Sequence, residues 1–108
     1  MQSIQTALET KLAQLDGEIM TIDQMSQTVV SRRPVSKVPG KPEERYMVHS
    51  YSINPDSYGD LFWGCYDLSP AQAMDELREK IKRSYPQYRA DREENFQPLG
   101  DDIVTFKP

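Results

Sequence analysis

The chain has 108 residues, 37% hydrophobic and 28% charged, with a formal net charge of −4, so it closes a core only if most of it joins one unit. A single cysteine excludes an intramolecular disulfide, a multi-thiol zinc site and an iron–sulfur cluster. No apolar run approaches the roughly 18 residues that span a bilayer, and Met1–Leu12 is polar rather than basic and then apolar, so the expectation is a soluble, cytoplasmic protein.

Between Ser3 and Val30 the apolar residues Leu8, Leu12, Leu15, Ile19, Ile22 and Val29 recur at steps of four, three, four, three and seven. That heptad spacing predicts one long, coiled-coil-like amphipathic helix over residues 1–30. Gly17 falls opposite the seam, where it costs about 1 kcal/mol of helix propensity rather than a packing defect. Asp16-Gly17 also reads as a turn between two short helices, but the seam continues in phase across it, which favours one helix. A helix with one apolar stripe needs a cover. A second copy of the chain, the chain's own domain and another protein all qualify, and the homodimer is preferred. The flanking charges of Lys11, Asp16, Glu18 and Asp23 favour neither a parallel nor an antiparallel pair.

Residues 31–45 read SRRPVSKVPGKPEER. Pro34, Pro39, Gly40 and Pro42 argue for an extended linker. Its five basic residues, Arg32, Arg33, Lys37, Lys41 and Arg45, oppose two acidic ones. They form either a strap for nucleic acid or an ordinary solvated connector. The connector is preferred, because a few dispersed charges attract weakly and are screened by salt.

All ten aromatic residues lie at or after Tyr46, which places the core in residues 46–108. Tyr46–Ile53 and Leu61–Leu68 are rich in β-branched and aromatic residues, and Asn54, Pro55, Asp56 and Gly59 lie between them. The pattern predicts a β-hairpin with a long loop. A centred loop sets Ile53 opposite Leu61, Tyr51 opposite Trp63 and His49 opposite Cys65, with Met47 completing one inward face. Ser69-Pro70-Ala71-Gln72 is a helix start with a capping box. The helix runs to about Ser84, before Pro86, with Met74, Leu77 and Ile81 on its apolar face. Ile103–Phe106 reads as a terminal strand. The fold class is therefore α+β: the long N-terminal helix, the linker, and a small ββαβ domain whose three-stranded sheet packs on one helix.

Convergent reactive groups are scarce. The chain has one His and one Cys, no phosphate-cradling Gly-rich loop and no nucleophile elbow. His49 facing Cys65 across the hairpin is one arrangement in which an imidazole activates a thiol. Both residues, however, fall on the face assigned to the core, where a buried thiol beside a satisfied His is the commoner outcome. Asp56, Asp60 and Asp67 flank the hairpin and read as turn formers rather than a catalytic or metal-binding set. No catalytic residue, cofactor or metal is assigned. Residues 56–108 hold eleven acidic and seven basic residues, and the helix start SPAQAMDEL has no base before Arg78, which argues against a nucleic-acid-reading helix.

What remains is protein recognition. The expected function is a non-enzymatic adaptor, regulator or inhibitor that binds through the seam and through Tyr58, Tyr85 and Tyr88, since Tyr combines area with a hydroxyl. A nucleic-acid-associated protein using the basic linker is the second reading, and a small enzyme the third.

Overall fold

The computed structural model describes residues 3–84, 96–99 and 103–106. Helix α1 (Ile4–Ala13) opens on Ser3, whose hydroxyl accepts from the Thr6 amide at 3.1 Å. It closes after ten residues. Asp16 turns left-handed (φ 59°), the Gly17 amide donates to the Leu12 carbonyl at 2.8 Å, and the Asp16 amide donates to the Ala13 carbonyl at 3.1 Å. This pair of bonds is a Schellman stop. Gly17 fits because a Cβ there would lie 2.8 Å from Met47 Cε and 3.2 Å from Ser31 Oγ.

The long N-terminal helix is thus corrected, and with it the coiled coil. The second half of the seam is a hairpin of β1 (Glu18–Asp23) and β2 (Thr28–Arg32). A β-bulge between Ile19 and Thr21 brings Ile19 and Ile22 to one face, so a step of three arises within a strand. The step of seven from Ile22 to Val29 is a cross-strand pair joined through a turn. In that turn the Asp23 carboxylate accepts from the Ser26 amide and hydroxyl.

The hairpin continues into β3 (Tyr46–Tyr51) and β4 (Leu61–Leu68), giving a four-stranded antiparallel sheet of order β1-β2-β3-β4. The expected three-stranded sheet is corrected accordingly. Helix α2 (Pro70–Ser84) begins on the expected capping box: the Gln72 amide donates to Ser69 Oγ at 3.2 Å, and the Ser69 amide donates to Gln72 Oε1 at 2.9 Å. Ile103–Phe106 is a strand, β6, but it pairs with β5 (Phe96–Leu99) in a separate two-stranded sheet.

Each helix covers one face of the four-stranded sheet, because both faces alternate apolar side chains outward. Under α1 lie Leu8, Leu12, Val29 and Tyr51, bordered by Ile4, Leu15, Ile19, Ile22 and Leu61. Under α2 lie Val30, Tyr46, Val48, Ala73, Leu77 and Ile81, with Met20, Leu68 and Met74 beside them. Of the three possible covers for the seam, the chain's own sheet is the one used. Among the described residues no helix is long and apolar enough to cross a membrane.

Candidate functional site

Strand β4 ends the sheet, so among the described residues its outer edge carries no neighbouring strand. Its pairing with β3 runs Tyr51 with Leu61, Ser50 with Phe62, Val48 with Cys65, and Tyr46 with Leu68, and it is interrupted twice by bulges. Each bulge holds one residue in left-handed backbone, Trp63 (φ 50°) and Asp67 (φ 55°). Glycine or asparagine normally occupies such positions, since a Cβ there meets the following carbonyl. The first bulge turns Trp63 out of the sheet, leaving it 78% exposed. Phe62, 40% exposed, meets it edge to face with centroids 5.1 Å apart. Ile53, also exposed, lines a shallow depression together with Phe62.

On the α1 side of the same edge, the half-exposed Tyr66 shares a hydrogen bond of 2.9 Å with Nε2 of the buried His49. Gly64 makes room for it, since a Cβ there would stand 2.7 Å from the imidazole and 2.8 Å from the Tyr66 hydroxyl. His49 Nδ1 is buried without a hydrogen-bond partner among the described residues. We therefore assign the ring proton to Nε2, because a buried orphan acceptor is less costly than an orphan donor. Burial, then the Lys80 and Arg33 cations, lower the His49 pKa to about 4, so the ring is neutral near pH 7.

Two ion pairs flank the edge. Lys11 Nζ lies 3.0 Å from Asp60 Oδ1. Arg33, buried, reaches Asp67 Oδ1 at 3.3 Å, donates through Nε to the Leu15 carbonyl at 3.1 Å, and stands over the Tyr66 ring at 5.8 Å. Arg33 thus ties the end of α1 to the second bulge.

The arrangement offers little for covalent chemistry. Cys65 pairs with Val48 and His49 with Val29, residues of alternate parity on β3, so thiol and imidazole occupy opposite faces and the expected pairing of His49 with Cys65 is corrected. Burial, the Glu76 carboxylate and a 3.7 Å S–H···O bond to it all raise the Cys65 pKa, against an opposing contribution from Lys80. Asp60 and Asp67 answer to separate cations, and Asp56 sits in the one-turn helix Pro55–Ser57. Among the described residues no group of three His, Cys, Asp or Glu is placed to hold a metal ion.

The residues expected to bind a partner are distributed differently. Leu8, Leu12 and Val29 are fully buried, and Leu15, Ile19 and Ile22 pack around them, so the seam is core rather than surface. Its apolar spacing reflects the demand of the chain's own sheet. Tyr58 is half-buried after the short helix, close enough to Tyr51 to help burial raise that hydroxyl to about 12. Tyr85 and Tyr88 lie outside the described residues.

The five basic residues do not share one exposed face. Arg33 is committed as above, and its amide donates to the Arg45 carbonyl at 2.9 Å. Arg45 Nη1 donates to the Arg33 and Pro34 carbonyls at 3.2 and 3.3 Å, holding the β2–β3 connection closed. Ser36 Oγ reinforces the connection by donating to the Glu44 carbonyl at 3.0 Å and accepting from the Val38 amide at 3.0 Å. Arg32 is in β2, Lys41 approaches Glu44 at 3.9 Å, and Lys37 is exposed. Phe62 and Trp63 were not among the expected contact residues, and the exposed Trp63 is the feature that sequence reasoning missed. No protein-family model, curated protein or solved structure matches the chain.

Proposed function

We propose that this chain is a cytoplasmic, non-enzymatic protein-binding regulator or adaptor whose contact surface is the outer edge of β4. The observation that carries the reading is Trp63, mostly exposed and held in a backbone conformation unfavourable for a bulky residue. Strain of this kind costs of order 1–3 kcal/mol and persists where surrounding structure enforces it, often at binding sites. Tryptophan is also enriched, with Tyr and Arg, among the residues that anchor interfaces. Phe62 supports it from the side, and Tyr66, locked by His49 and Arg33, adds a rigid aromatic with a hydroxyl.

Affinity capture from the source cell with the full chain tests the reading. The Trp63→Asn chain is expected to lose the partners that the wild type retains. Val35→Ser, altering an exposed apolar residue on the β2–β3 connection, is expected to keep them. Equal capture by wild type and Trp63→Asn would refute β4 as the surface.

A further inference from the structure

The geometry of the β2–β3 connection points to a binding site for a small acid, a carboxylate carried on an apolar body. The site is separate from β4, so its failure would leave the proposed contact surface untouched. Thirteen residues, 33–45, separate the two strands. Connections longer than about 12–15 residues are uncommon inside a domain, and an ordered one generally serves binding or catalysis. This one is ordered from within. Val38–Lys41 has the form of a type II turn, with Pro39 and the left-handed Gly40 (φ 75°) at its centre and the Lys41 amide donating to the Val38 carbonyl at 3.2 Å. The Ser36 hydroxyl ties that turn back to Glu44, and the Arg33 amide closes the base on the Arg45 carbonyl at 2.9 Å.

The walls are apolar. Pro34, Val38, Pro39 and Pro42 line an open cavity of about 560 Å³, within the range of small-molecule sites. Proline suits such a wall, because it offers no N–H and its fixed ring loses little freedom when a ligand docks.

Into this cavity the connection sets one guanidinium. Arg45 is half-buried and lines the same space, and its Nη1 is pinned by the Arg33 and Pro34 carbonyls. Pinning one nitrogen fixes the plane of the whole group, because the guanidinium is rigid. The opposite edge, Nε and Nη2, makes no bond among the described residues, and no carboxylate among them pairs with Arg45. That edge is the fork that meets both oxygens of a carboxylate. Glu44, the neighbouring acid in sequence, turns to Lys41 instead, at 3.9 Å. A cation partly withdrawn from water and without a counter-charge is therefore held beside an apolar wall. Its complement is a carboxylate with an apolar substituent: the charge answers Arg45, and the substituent covers the prolines.

Titration of the full chain by heteronuclear amide NMR tests this, with hexanoate as the probe and hexanamide and inorganic phosphate as comparisons. Hexanoate is expected to give saturable shifts concentrated in residues 33–45, with a Kd on the order of 10 mM or below for an acid of this size. Hexanamide has the shape without the charge, and phosphate the charge without the apolar body; each is expected to bind about 10-fold more weakly or worse. Arg45→Gln is expected to weaken hexanoate about 10-fold or more, and Val38→Ser about 3-fold or more. Val38→Ser leaves Arg45 and its carbonyl bonds in place, so it reads the wall alone even where Arg45→Gln loosens the connection. The absence of saturable shifts in this segment overturns the site, as does hexanamide or phosphate binding as tightly as hexanoate. Hexanoate binding undiminished by both substitutions places the acid elsewhere and overturns it too.

Discussion

Replacing Trp63 by asparagine should leave the monomer about as stable as the wild type, an unusual expectation for the loss of a tryptophan. Left-handed backbone costs a bulky L-residue about 1–2 kcal/mol, and asparagine relieves much of that at φ 50°. Against this stands the covered fifth of a side chain that is 78% exposed. That is about 50 Å² of about 250 Å², worth roughly 1 kcal/mol, to which the edge-on Phe62 contact adds about 0.5 kcal/mol. The terms nearly cancel, so the unfolding free energy should stay within about 1 kcal/mol of wild type. Truncating a core aromatic removes about 3–5 kcal/mol instead. Urea unfolding followed by far-UV circular dichroism is the assay. A loss of 2 kcal/mol or more, on the order of 8 °C or more in midpoint temperature for a chain of this size, would show that Trp63 supports the fold and would remove the main ground for calling it a contact residue.

Two further outcomes follow from the His49 neighbourhood. Because the folded His49 pKa is lowered from 6.5 to about 4, the unfolded chain binds that proton first as the solution is acidified. The contribution is full above about pH 6.5 and is lost as pH falls toward and through 4, to a total of roughly 3 kcal/mol. NMR titration of the imidazole should show no midpoint above about pH 5, and a midpoint near 6.5 would contradict the burial argument. Gly64→Ala places a Cβ 2.7 Å from the His49 ring. The crowding and the lost His49–Tyr66 bond should together cost about 2–4 kcal/mol in urea unfolding. Gly40→Ala, with φ +75° and nothing within 4 Å of the added Cβ, should cost only about 1–2 kcal/mol; equal losses for the two glycines would deny that Gly64 is selected by close packing.

Local chemistry was legible where a few neighbouring residues decide the outcome. Ser69, Pro70 and Gln72 form their cap within four residues, and α2 spans Pro70–Ser84. The first thirty residues illustrate the converse. Leu8, Leu12 and Leu15 do share one face at the end of α1, but Ile19, Ile22 and Val29 continue the same spacing through a bulge and a hairpin. A heptad count registers only distances along the chain, and a bulged strand followed by a tight turn reproduces them. Asp16-Gly17 was the local sign of the break, outweighed because the apolar phase ran on past it. The absence of aromatics before Tyr46 likewise concealed that half of the main sheet, β1 and β2, is built without them, from β-branched and polar residues and Met20.

The contact surface was hidden by register. The centred hairpin loop places Tyr46 opposite Leu68, as observed, but Tyr51 opposite Trp63, where the structure has Leu61. The difference of two residues accumulates one at each bulge, between Tyr46 and Val48 and between Val48 and Ser50. An unbulged β4 would carry Trp63 inward with His49 and Tyr51, as its hydrophobicity suggests. The first bulge instead assigns Trp63 and Gly64 jointly to the space opposite His49, and the buried imidazole leaves room there for only a glycine. The tryptophan is therefore the residue displaced outward, and the close fit of Gly64 against His49 is what keeps it there. On this account Gly64→Ala should weaken partner capture as well as stability, because it loosens the bulge that presents Trp63.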